Sequence, residues 1–311
     1  MRCCHRRAFL SQSLFSAAAV NLRGFPKSLE AAPAASSNLS IVKYKTSPAE
    51  PDGIAEEANR LTRKAVDALG GMSRFVSKGE MVWIKPNIGW DRRPEQAATT
   101  NPDVVATLIK MCLEAGAGKV MVSDNTCNVA QRTFPRSGIQ PSAEKAGARV
   151  LFLDERKFKK MALNGKVLKE WEVYTDMIEA DKLINVPIAK HHGLCKVTLG
   201  MKNLMGAIGG QRNRYHQDLG NTLPDLAAFI KPDLVVLDAV RVLIANGPVG
   251  GNLADVKRLD TVAASTDQVA IDAFGATLLG HKPEGIGYIA EAASRNLGSL
   301  HFASLAQEFS L

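Results

Sequence analysis

Cysteine is scarce: there are five in 311 residues, two of them at positions 3 and 4. The other three, Cys112, Cys127 and Cys195, are scattered, with neither metal-ligand spacing nor the pattern of a disulfide framework. Aromatic residues make up only 6%. With no recognisable reader motif, that leaves little from which to build a base-stacking surface. The positive charge is also smaller than it looks. The formal net charge is +8, but Met1 to Ala34 holds five Arg/Lys against one Glu, which leaves about +4 for the rest of the chain. Nucleic acid is therefore set aside as a partner. An apolar run near the start, Phe9 to Val20, is roughly 12 residues against the ~20 that span a bilayer, so no stable membrane span is expected.

What is present begins with Arg6 and Arg7, ahead of that apolar run and of a small-residue site at Ala32, Pro33 and Ala34. The arrangement resembles a twin-arginine export signal over residues 1–34. It implies a bacterial protein exported to the periplasm, with the twin-arginine export machinery as a partner. That route carries folded proteins, which hints at a cofactor acquired before export without naming one. Residues 35–79 read as a spacer with an N-terminal strand and helix, and 80–311 as the main domain.

Along that domain, short β-branched runs alternate with helical patterns. "MVWIK" (81–85) precedes a helix that Thr100 or Asn101 can cap, with Pro102 in its first turn and Gly116 at its end. "KVMVSDN" (119–125), "RVLFLD" (149–154), "ADKLINVPIAK" (180–190), "PDLVVLDAV" (232–240) and "DTVAASTD" (260–267) continue the rhythm, with helices between and a last helix from Gln268 to about Leu279. This predicts an α/β fold of three layers, a mainly parallel sheet with helices on both faces, and a small lobe from 190 to 225. No internal repeat or low-complexity tract follows the leader.

In open α/β sheets ligands sit beyond the carboxyl ends of the strands. The exits carry polar residues each time: Lys85-Pro86-Asn87, Asp124-Asn125, Pro187 to His192, Asp238 and Asp267. The stretch from Lys190 to His216 then adds three lysines (Lys190, Lys196, Lys202), Arg212, Arg214 and three histidines without one carboxylate. Such a run, rich in glycine, can cradle a small anionic ligand such as a phosphate or carboxylate. Asn203 joins this binding set. His191 and His192 are neighbours on a strand and so point to opposite faces, leaving one for any given pocket. His216 reaches that pocket only if the following loop folds back. Lys202 lies among apolar neighbours, where burial would lower its pKa and make it a base or nucleophile. His191, His192 and Lys202 are thus the catalytic candidates, and no metal ligand set is assigned.

"IKPN" (84–87), the helix start at 99–102, "EAGAGKVMVSD", "ADKLINVPIAKHH" and "VTLGMKNLMG" together resemble the proteins of domain of unknown function 362, over about residues 80 to 280. The resemblance implies the α/β fold. Many members carry a cysteine-dense ferredoxin-like module, but this chain has no such pattern, so an iron–sulfur role does not carry over. A looser similarity of layout links the Gly-rich stretch to lactate-racemase-type proteins with their nickel-bearing organic cofactor. It would make Lys202 or Lys196 the attachment point and His191 or His192 the acid/base.

The sequence therefore points to an exported protein with an anion-binding site that can be catalytic, with or without a cofactor whose identity stays open. The alternatives are a non-catalytic anion-binding protein, an iron–sulfur or metal-linked redox protein, and a lactate-racemase-like enzyme.

Overall fold

The computed structural model describes residues 38–45 and 54–311. The expected leader, 1–34, lies outside the described residues. The strands are β1 (Leu39–Lys43), β2 (Met81–Pro86), β3 (Lys119–Val122), β4 (Arg149–Val150), β5 (Phe158–Ala162), β6 (Glu170–Tyr174), β7 (Lys182–Val186), β8 (Ile188–His192), β9 (Lys196–Thr198), β10 (Leu234–Leu243), β11 (Val256–Ser265) and β12 (Ala306–Ser310). Among the described residues β5 and β6 form a separate hairpin, and the other ten strands make one sheet in the order β12-β1-β11-β10-β7-β2-β3-β4, with β8 beside β10 and β9 beside β8.

From β10 through β7, β2, β3 and β4 every pairing is parallel. β11 runs antiparallel to both β10 and β1. The sheet is buried on both faces, which is why its strands read as nearly unbroken apolar runs. Alternate side chains feed two cores. Trp83, Val235, Leu237 and Ala239 pack on one face with the helices Leu219–Phe229, Gln268–Leu278 and Gly287–Ser294. Val82, Ile84, Leu234 and Val236 pack on the other with the helices Ile54–Asp67 and Pro102–Glu114. This is the three-layer α/β fold expected from the rhythm of the chain.

Local rules set the helix ends. The Asn101 side chain accepts the Asp103 N–H at 2.8 Å, with Pro102 in the first turn, where its missing N–H costs nothing. Gly116 follows the last turn at φ +97°, a conformation that glycine takes without steric cost.

Three expectations about layout change. Asp238 is not at a strand exit, because β10 runs on to Leu243, and its buried carboxylate accepts the Asn101 and Val240 N–H groups. Asp267 follows an antiparallel strand, so it belongs to the opposite edge of the sheet. There it caps the helix Gln268–Leu278 by accepting the Val269 and Ala270 N–H groups. Residues 190–225 do not stand apart as a lobe: β8 and β9 join the main sheet, and Leu199, Met201, Leu204, Ile208, Tyr215 and Leu219 are part of a main core.

Candidate functional site

At the carboxyl ends of β2, β3 and β8 lies a cavity of about 690 Å³. Asn87, Asp124, Lys190 and His192 reach it from the strands, Lys202 and Asn203 from the short helix Gly200–Asn203, and Arg212 and His216 from the loop beyond. Trp90, Leu194, Pro248 and Val249 supply apolar wall. Among the described lining residues Asp124 is the one carboxylate.

That carboxylate is already engaged. Asp124 Oδ1 lies 2.7 Å from the buried Lys85 ammonium, while Oδ2 accepts the Ile88 N–H at 2.6 Å. Burial lowers the Lys85 pKa and the ion pair with Asp124 opposes the shift without cancelling it. Lys85 also donates to the Pro86 carbonyl at 2.9 Å, so its charge is spent within the wall. Gly206 closes over the pair. A Cβ there would stand 1.6 Å from Asp124 Oδ1 and 2.6 Å from Lys85 Nζ, which only glycine avoids.

A line of amides runs behind the cavity. Lys190 Nζ donates to Asn87 Oδ1 at 3.0 Å and to the Ala98 carbonyl at 2.6 Å. Asn87 Nδ2 donates to Asn203 Oδ1 at 2.9 Å, Asn203 Nδ2 to Asn185 Oδ1 at 2.8 Å, and Asn185 Nδ2 to the Gly200 carbonyl at 2.9 Å. Each amide accepts from one neighbour and donates to the next, so all three orientations are set by one chain of bonds. Below it Asp272 accepts the Gly200 and Met201 N–H groups and fixes the start of the helix that carries Lys202. Burial pulls the Lys190 ammonium down to about 7, against the pull of Cys127 and Asp124.

The two histidines of the cavity have defined tautomers. His192 Nδ1 accepts the Leu194 N–H at 3.1 Å, so in the neutral ring the proton sits on Nε2. Burial, with Lys202 and Lys190 adding to it, depresses its pKa to about 3. His216 is the reverse: Nδ1 faces the Arg212 carbonyl at 2.8 Å and must donate to it, leaving Nε2 as an acceptor 3.4 Å from Lys202 Nζ. Its pKa is also lowered, first by burial. The Lys202 nitrogen has His216 on one side and the Met205 thioether, at 3.0 Å, on the other. Burial lowers its pKa, and Arg212 adds to the effect. Thr198 contributes a buried hydroxyl that finds no hydrogen-bond partner among the described residues, so it is free to bond whatever enters the cavity.

Of the residues singled out in the sequence, Asn87, Asp124, Asn125, Lys190, His192, Lys202, Asn203 and Arg212 line this cavity, and Lys85 lies directly beneath it. Three others point elsewhere. His191 is turned to the opposite face of β8, where its Nδ1 accepts the Gly247 N–H at 3.1 Å. Lys196 is exposed and donates to the Gly285 carbonyl, and Arg214 is exposed outside the cavity. His216 does arrive, because the loop folds back: Arg212 donates to the Asn125 and Thr126 carbonyls and pins it across the mouth. Asn185 and Thr198 were missed. Nothing in their local sequence separates them from other polar strand residues.

The three described cysteines do not gather. Cys112 is buried in the helix Pro102–Glu114, and burial raises its thiol to about 12. Cys195 is half-buried and donates to the Val197 carbonyl, and Cys127 is exposed at the cavity. No group of three or more His, Cys, Asp or Glu among the described residues is placed to hold a metal ion, so the residues described do not fit a cluster.

Fold and site together define an α/β protein with a cation-rich, carboxylate-poor cavity at the carboxyl end of parallel strands. The chain belongs to the family of domain of unknown function 362, whose model matches residues 82–277. It is similar to the thylakoid-associated protein sll1697 of Synechocystis, with 29% identity over 218 residues, covering 68% of this chain and 66% of that protein. The chain thus spans just under two thirds of that relative's length. Among solved structures, the lactate racemase apoprotein of Thermoanaerobacterium thermosaccharolyticum is similar at 13% identity and a TM-score of 0.47, over 76% of this chain and 56% of that one. A Thermotoga maritima protein is similar at 11% identity and a TM-score of 0.39, over 76% and 60%. At those scores neither structure bears on what this chain does. Among the described residues no helix is long and apolar enough to cross a membrane.

Proposed function

We propose that the protein is an enzyme that binds a small carboxylate or phosphate in this cavity and moves a proton on it. One observation carries the reading. Lys190, Lys202 and Arg212 face the cavity, while the one carboxylate among its described lining residues is already paired with Lys85. An anion would supply the missing countercharge and recover part of what burying the cations costs. His192 offers an Nε2–H donor that stays neutral at physiological pH, and His216 offers an Nε2 acceptor beside Lys202. A fixed donor and a fixed acceptor in one cavity are the parts of general acid–base catalysis.

Incubation of the protein in D2O with a panel of small carboxylates, oxo acids and phosphate esters, followed by NMR, tests this. Deuterium should enter the bound compound at a carbon next to its carbonyl or carboxylate, and the His192→Gln and Lys202→Met proteins should lose that exchange. Binding without exchange for every compound would replace the enzyme with the non-catalytic anion-binding protein. Export belongs to the same proposal. It rests on Arg6, Arg7 and the apolar run after them, and fractionation of cells expressing the full chain and an Arg6→Lys/Arg7→Lys variant tests it. Retention of the variant in the cytoplasm is expected, and equal export of both would defeat it.

A further inference from the structure

Three lysines are buried at this site, and they are not equivalent. Lys85 is held by Asp124 and the Pro86 carbonyl, and Lys190 by Asn87 and the Ala98 carbonyl, so two of the three hydrogens of each ammonium are directed at protein oxygens. Among the described residues Lys202 has no oxygen partner. Its nitrogen touches a thioether and an imidazole nitrogen, both weak supports for an ammonium, and it faces the cavity. The residue is only 8% exposed, so water does little to replace those partners.

We infer that Lys202 acts as a covalent nucleophile, condensing with the carbonyl of a small oxo acid to form an imine. This rests on the proposed anion site and names its substrate class: a carboxylate to meet Arg212 or Lys190, and an adjacent aldehyde or ketone to meet Lys202. The neutral amine attacks the carbonyl carbon, forming the C–N bond and a carbinolamine. Loss of the carbonyl oxygen with two hydrogens as water leaves the C=N bond, and no oxidant or reductant takes part. His216 Nε2, held as an acceptor 3.4 Å from the nitrogen, takes the proton an ammonium form must shed and returns it as the hydroxyl departs. The lowered basicity of Lys202, caused first by burial, supports the step, since it leaves more free amine at neutral pH. An iminium also acidifies the neighbouring C–H, which joins this chemistry to the proton transfer proposed above.

The test is reductive trapping. The full chain is incubated at neutral pH with glyoxylate or pyruvate and cyanoborohydride at limiting time, then digested and mapped by mass spectrometry. Lys202 should carry the N-carboxymethyl or N-carboxyethyl group at least ~tenfold faster than exposed lysines such as Lys196. Added oxalate, a dianion without a reactive carbonyl, should protect it. Lys202→Met and Lys202→Arg should each lose the adduct while keeping their melting transitions, and His216→Phe should slow it at Lys202 alone. Adducts confined to surface lysines, or trapping at Lys202 no faster than at Lys196, would overturn the inference. If oxalate still raises the melting temperature of the wild type in that event, the anion site stands without the imine. If it does not, both readings fall together.

Discussion

The protein buries charge in two places, and it does so in opposite ways. Beside β11, Arg258 lies 2.8 Å from Glu57 and 2.9 Å from Asp260, so that among the described residues a cation meets two buried carboxylates. The acids crowd each other enough that Glu57, through burial first and Asp260 second, is raised to about 7. At the cavity the proportions reverse: among the described residues four basic side chains, Lys85, Lys190, Lys202 and Arg212, surround one carboxylate. The first cluster matches its charges with one another and ties the helix Ile54–Asp67 to the sheet. The second leaves positive charge facing open space. An excess of one sign is costly inside a protein unless something of the other sign arrives, and this imbalance is what distinguishes a site from a brace.

The comparison can be broken first at the one ion pair that the cavity shares with a structural role. Asp124→Ala would leave Lys85 buried beside no anion, and urea unfolding should show a loss of about 3–5 kcal/mol. Lys85→Met combined with Asp124→Leu should recover most of it, because a well-packed apolar pair of similar volume replaces a buried ion pair at little cost. Gly206→Ala comes next. Its methyl would collide with the same pair, and a loss of about 1–3 kcal/mol is expected from the displacement it forces.

Acid titration sharpens the picture at His192. Its folded pKa, about 3, lies below the ordinary 6.5, so between those values the unfolded chain binds more protons and stability falls as pH falls. The slope from this residue approaches about 1.4 kcal/mol per pH unit for one proton. Asp238 and Asp272, raised by burial to about 6 and about 7, act in the opposite direction over the same range. The readout is therefore a difference: urea melts of wild type and His192→Gln from pH 6.5 to 4 should diverge steadily, with the variant losing less. Parallel curves would place a charged His192 in the folded state. The smallest effects belong to Lys196→Ala and Arg214→Ala, whose side chains lie outside the cavity. Each should leave stability within about 0.5 kcal/mol and anion affinity unchanged.

Much of this was legible in the chain, and the reasons differ by residue. β2, β3 and β7 announced themselves as apolar runs because both faces of a parallel sheet are buried, and the polar residues that ended them marked the site. The adjacency of His191 and His192 showed that a single cavity would take only one of them. Which one depends on the register of β8, set by pairing with β9 close by and with β10 far along the chain. The same distance hid the direction of β11, and with it the place of Asp267. Asn185 could not be read as a site residue because its partners, Asn203 and Gly200, lie 18 and 15 residues away and meet it only when the helix Gly200–Asn203 packs over the sheet. Lys202 was visible as a lysine among apolar neighbours, but its lack of an oxygen partner is a fact of packing.

The most direct measurement is a calorimetric titration of oxalate and of inorganic phosphate, at low ionic strength, into the wild-type and Lys202→Met proteins. If the cavity awaits an anion, the wild type binds at least one of the two saturably at a single site, and the variant binds it ~tenfold or more weakly, as expected for losing one charge-assisted hydrogen bond. Absence of binding of either anion to the wild type, or equal affinity in both proteins, would contradict the account and return the cavity's lysines to a purely structural role.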